Sequence, residues 1–182
     1  MSDFGSRMHA LMRERGPLCV GIDPHPSLLS QWGLEDNIGG LEQFALTAAE
    51  ALAPVSAAVK PQSAFFERHG SRGIAVLERV LEICREAGTQ IVLDVKRGDI
   101  GSTSQAYADA YLASSAPLRA DAITVSPYLG FGSLAPILTT AQANGNGVFV
   151  LALTSNPEAP QVQHARNGQR TVAGEMLAAL AE

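Results

Sequence analysis

Apolar residues fall along this chain in two alternating textures. Short unbroken runs rich in β-branched residues predict strands at Leu18–Ile22, Ser56–Lys60, Gln90–Lys96, Ala122–Val125 and Gly147–Leu153. Between them, apolar positions recur every three or four residues. That spacing predicts helices at Phe4–Arg15, Leu41–Ala53, Ser71–Glu86, Ser102–Ser114, Ser133–Asn144 and Gln169–Ala181. In the third of these, Ile74, Leu77, Leu81 and Cys84 form an apolar stripe that Arg72, Glu78, Arg79, Glu82 and Arg85 largely avoid, and Gly88 follows as a stop. The strand runs are continuous rather than alternating, as in strands covered on both faces of a parallel sheet. Strand and helix repeat five times, which predicts an α/β fold with a parallel sheet. The longest irregular stretch, Ser155–Gly168, follows the fifth strand, and loops of that length in compact domains are often functional.

Composition narrows the classes. The chain has 182 residues, of which 46% are apolar and 17% charged, enough for one sizeable core and too few for two ordinary domains. A net charge of −5 with no basic run argues against nucleic acid or an anionic membrane as partner. No apolar stretch approaches the ~20 residues of a membrane span, and the polar N-terminus lacks a signal-peptide core, so a cytoplasmic location is expected. Cys19 and Cys84 stand in apolar surroundings without metal-ligand spacing and read as buried thiols of a reducing compartment.

The strand ends carry the chemistry. The first ends in "GIDPHP" with Asp23, the second in "AVKPQ" with Lys60, the third in "LDVKRGD" with Asp94, Lys96 and Asp99, and the fifth in "LALTSNP" with Ser155. In a parallel α/β fold these ends share the ligand-binding side of the sheet. Asp94 and Lys96 are two apart on a strand and so point to one face. Gly98 offers the turn beyond them a backbone conformation other residues avoid. Desolvated charge must be paired, and alternating Lys and Asp meets that need.

Other motifs fail on context. "GFGSLA" at Gly130 matches a dinucleotide fingerprint, but no acidic residue stands near the required position downstream. There is no phosphate-binding G-x-x-x-x-G-K-[ST] and no G-x-S-x-G elbow. His9, His25, His69 and His164 lack metal-ligand spacing.

"DVKRGDIGST" resembles the D-x-K-x-x-D-I-x-x-T motif of the orotidine 5′-phosphate decarboxylase family. "GIDPHP", "VKPQSAFFERHG", "VSPYLG" and "LALTSNPEA" resemble the flanking signatures of its longer-chain bacterial branch, in order, from about Pro17 onward. The resemblance implies a (β/α)8 TIM barrel and a homodimer with shared active sites. It also implies conversion of orotidine 5′-monophosphate to uridine 5′-monophosphate in pyrimidine biosynthesis, without cofactor or metal. It implies that Asp23 binds the ribose, that Lys60 belongs to a charged network, that Asp94 lies near the substrate carboxylate and that Lys96 protonates C6. It implies further that Asp99 and Thr103 reach the neighbouring subunit's site and that Ser155 bonds the pyrimidine ring. Ser126 stands where relatives are expected to carry Asn or His. Only five of eight strand–helix units are counted, so residues 1–182 are expected to be a single barrel domain incomplete at its C-terminus. Such a chain would lack the family's phosphate site, and by itself would be inactive and prone to aggregate through its open edges.

Rival readings remain at this level. Related sugar-phosphate decarboxylases share D-x-K-x-x-D but use Mg²⁺, held partly by a Glu at the end of the second strand, where this chain has Lys60; a protonated lysine cannot ligate a metal. A Schiff-base aldolase would need Lys96 in a less acidic setting. A non-catalytic barrel fragment is the third alternative.

Overall fold

The computed structural model describes residues 3–181. Five parallel strands form one sheet in sequential order: β1 (Cys19–Ile22), β2 (Ala58–Pro61), β3 (Gln90–Arg97), β4 (Ala122–Val125) and β5 (Gly147–Val150). The main helices are α1 (Phe4–Arg15), α2 (Pro26–Gln31), α3 (Ile38–Leu52), α4 (Ala64–Glu67), α5 (Gly70–Glu86), α6 (Gly101–Leu112), α7 (Ala135–Asn144), α8 (Pro160–Gln163) and α9 (Val172–Ala181). A hairpin of β6 (Arg166–Asn167) and β7 (Arg170–Thr171) lies between the last two. The α/β class and the five-unit count agree with expectation, and the sheet is that of a partial barrel.

The two faces of the sheet differ. Val59, Ile91, Leu93, Ile123 and Val125 point to the helices and merge with Leu41, Phe44, Leu77, Leu81 and Ile137 into the main core. Cys19, Ala58, Lys60, Val92, Thr124 and Phe149 line the other face. Near its N-terminal edge, Ala58, Val92 and Ala122 are covered by Phe4 and Met8 of α1. Alternation places small apolar residues low on this face and Lys60, Asp94 and Thr124 above them, toward the strands' C-terminal ends. Cys19 stands on the less covered face and is exposed, contrary to expectation; Cys84 is buried in the core, and burial pushes its thiol up to about 12.

Several boundaries move for local reasons. The α5 stripe runs through Gly73, Val76, Leu77, Val80, Leu81 and Cys84, with Ile74 on its flank, because α4 crosses close above Gly73. The supposed irregular stretch after β5 holds α8 and the hairpin, whose Gly168 turns at φ 61°; α9 therefore starts at Val172, three residues later than the periodicity predicts. β5 ends at Val150 rather than Leu153.

Gly98 is needed for a different reason from the one expected. It is not among the residues with positive φ; Lys96 is, at 45°. A Cβ on Gly98 would stand 2.3 Å from the Ser126 carbonyl oxygen, a backbone atom. Gly98→Ala should therefore destabilise the fold by about 1–3 kcal/mol, the usual cost of overpacking, visible as a lower midpoint in urea unfolding. An unchanged midpoint would show that the two strands separate there freely.

Candidate active site

The C-terminal ends of β1, β2 and β3 open into a cleft of about 490 Å³, within the range of small-molecule sites. Asp23, Lys60, Gln62, Asp94, Lys96 and Arg97 line it. Asp94 is its centre and is only 7% exposed. Lys96 Nζ donates to Asp94 Oδ1 at 2.6 Å and to Oδ2 at 2.7 Å. Regular strand alternation does not deliver this contact, since Lys96 leaves strand geometry at φ 45°. Lys60 Nζ approaches Oδ2 at 3.5 Å from β2. Two further donors complete the shell: Gln62 Nε2 to Oδ2 at 2.9 Å and Thr124 Oγ1 to Oδ1 at 2.7 Å.

Burial pushes the Asp94 carboxyl up, but the Lys96 and Thr124 hydrogen bonds and the charges of Lys96 and Lys60 outweigh it and hold the group below its ordinary 3.8. A depressed folded-state value stabilises the fold above the unfolded value, and the contribution is lost as pH falls through the folded one. The stability advantage of wild type over Asp94→Asn should thus be full near neutrality and shrink as pH drops below 3.8. Urea titrations at a series of pH values measure it; an advantage that grew on acidification would contradict the network.

Asp23 also faces the cleft. Its Oδ1 is buried without a hydrogen-bond partner among the described residues, and Gly21 leaves room for the carboxylate, since a Cβ there would lie 2.7 Å from Oδ2. Beside it, His25 packs edge-on against Phe65. Arg97 is turned from the lysine cluster: it bonds Glu67 and Tyr111 and lies over the Tyr107 ring, while Ser63 donates to Glu67. These contacts tie α4 and α6 to the end of β3 and so shape the cleft wall.

The remaining expected site residues stand apart. Asp99 does not line the cleft; its Oδ1 accepts the Ile100 N–H at 2.8 Å, where α6 begins. Thr103 is exposed in the first turn of α6, and Ser155 is exposed beyond β5. Sequence reasoning missed Gln62 and Thr124. Both were legible in principle: Gln62 is two positions past Lys60, and Thr124 is the only polar residue of the β4 run.

A partial parallel barrel with a buried carboxylate held between two lysines at its strand ends has the layout of barrel proteins whose sites lie on that face. The family model described as orotidine 5′-phosphate decarboxylase / HUMPS matches residues 16–182. The chain belongs to this family. It is 67% identical over 181 residues to an orotidine 5′-phosphate decarboxylase of Nocardioides, covering 97% of the chain and 66% of that protein. It is 59% identical over 182 residues to the one of Streptomyces coelicolor, covering 100% and 66%. A crystal structure from Streptomyces avermitilis, described as an orotidine 5′-phosphate decarboxylase, superimposes with a TM-score of 0.97 at 58% identity, covering 100% of this chain and 64% of that one. The chain thus spans about two thirds of the length of these relatives.

Proposed function

We propose that the protein carrying this chain is a homodimeric cytoplasmic decarboxylase of a single barrel domain. It would convert orotidine 5′-monophosphate to uridine 5′-monophosphate, with Lys96 as the proton donor to C6. The observation that carries this reading is the buried Asp94 carboxylate gripped by Lys96 and Lys60. As the bond from C6 to the carboxylate breaks, CO2 leaves and its electron pair stays on C6. Lys96 then gives up one N–H proton as the C6–H bond forms, and the neutral amine is reprotonated from solvent. A cation fixed beside C6 stabilises the charge that develops there without reorganising at the moment of reaction. Asp94 aims the ammonium in this scheme, holding it through both carboxylate oxygens in the ground state. The lone acceptor Asp23 Oδ1 suits a donating ribose hydroxyl. Asp99, Thr103 and Ser155 are assigned to the partner's site and to the pyrimidine ring on the family resemblance.

Lys60 separates this reading from the metal-dependent sugar-phosphate branch. An ammonium 3.5 Å from Asp94 repels a divalent cation and offers it no lone pair. The protein at its relatives' length should therefore release CO2 from orotidine 5′-monophosphate at an unchanged rate in EDTA. Activity abolished by the chelator and restored by Mg²⁺ would overturn the proposal.

A further inference from the structure

We infer that Thr124 is a positioning residue of this site: one hydroxyl locks the Asp94 carboxylate and the Lys96 backbone into a single unit, and so aims the lysine's ammonium. The inference rests on the reading of Lys96 as the proton donor.

A threonine hydroxyl has one hydrogen to give and two lone pairs to receive with. Thr124 Oγ1 receives the Val95 N–H at 3.1 Å and the Lys96 N–H at 2.9 Å. Backbone N–H groups can only donate, so both lone pairs are engaged. The hydroxyl hydrogen is left for Asp94 Oδ1, at 2.7 Å. The whole bonding capacity of this side chain on β4 is spent on three consecutive residues of β3.

It does so where the ladder fails. β3 and β4 pair regularly at Val92–Ala122 and Leu93–Ile123, and then the register shifts before Arg97–Val125. The Thr124 hydroxyl supplies Val95 and Lys96 with the acceptor that a regular ladder would have drawn from backbone. Lys96 sits inside this bulge with φ 45°, the only non-glycine residue at positive φ among those described. That conformation is disfavoured for a side chain with a Cβ and persists only when its surroundings impose it. Bulges next to sites re-aim side chains. Here the bulge folds the lysine over the carboxylate two residues before it, and Thr124 bonds both ends of the fold.

The test uses the protein at its relatives' full length and three variants. Thr124→Val keeps the shape and β-branching but removes the hydroxyl. It leaves two N–H groups without their acceptor and takes a donor from Asp94. Its kcat should fall roughly 10- to 100-fold, the equivalent of one lost buried hydrogen-bonding group, with KM changed less than about threefold, because substrate contacts remain. The acidic limb of the kcat/KM pH profile should move to higher pH, since the carboxylate loses a stabilising donor. Thr124→Ser restores the hydroxyl and should return kcat to within a few-fold of wild type. A purely structural threonine would move neither the pH profile nor its rescue by serine. Carbon-13 titration of the Asp94 carboxyl gives a readout independent of turnover: its pKa should rise in Thr124→Val and recover in Thr124→Ser. If wild type itself fails to act on orotidine 5′-monophosphate, the functional reading falls, while the titration still decides whether Thr124 governs Asp94. If circular dichroism shows Thr124→Val unfolded, Thr124→Ala is compared with Thr124→Ser in its place. Wild-type kcat together with an unmoved Asp94 titration in the hydroxyl-free variant overturns the inference.

Discussion

Replacing Lys96 by alanine should lower kcat by at least ~10²-fold, and by up to several orders of magnitude, while nucleotide binding survives. The estimate combines two losses. General-acid catalysis is typically worth ~10²–10⁴ in rate, and a fixed electrostatic group facing developing charge ~10²–10³; the two overlap in one side chain, so the product is an upper bound. Binding is affected less because Lys96 acts on charge that is small in the ground state and large in the transition state. The network predicts a further detail. Without Lys96, Asp94 keeps Lys60 Nζ at 3.5 Å, Gln62 and Thr124, so the carboxylate remains ionised and in place. Steady-state kinetics on Lys96→Ala, with calorimetric binding of uridine 5′-monophosphate, measure both halves. A change confined to KM would move the proton-donor role to Lys60, the other ammonium at the carboxylate.

The chain's periodicity carried most of the architecture, for a physical reason. Helices that bury one side must repeat at about 3.6 residues, strands covered on both faces read as short unbroken apolar runs, and five such alternations leave little choice of class. Asp94, Lys96 and Lys60 were legible as a group because closeness along the chain and parallel strand ends are local rules. Thr124 was not singled out because its role lies across the sheet, in a bulge that no residue of β3 announces; Lys96 takes the positive φ although Gly98 stands two residues away. The short α2 and α4 were missed because one or two turns cannot display a period. The hairpin after β5 had a signal, Asn167-Gly168, but flanking strands of two residues gave it no alternation to sit in.

Under the proposed homodimer with shared sites, mixing two inactive variants should restore activity. Asp99 follows the Lys96 bulge by three residues, yet its carboxylate is absent from the cleft lining and bonds the Ile100 N–H instead. Under the proposed homodimer, each site takes Lys96 from one chain and Asp99 from the other. Lys96→Ala and Asp99→Ala should then each be nearly inactive as homodimers. After subunit exchange, a heterodimer has two unlike sites. One receives both substitutions. The other combines the intact Lys96 of the Asp99→Ala chain with the intact Asp99 of the Lys96→Ala chain. Random exchange yields about half heterodimers, each with one complete site of two, so activity should tend toward about one quarter of wild type. If Asp99 served its own chain's site, every site in the mixture would carry at least one substitution. Mixtures shown by mass spectrometry to have exchanged subunits, yet still inactive, would therefore place Asp99 in its own chain's site and remove the shared-site reading. The same mixture separates this role from a structural one: an Asp99→Ala chain that merely misfolded could not lend its Lys96 to a working site.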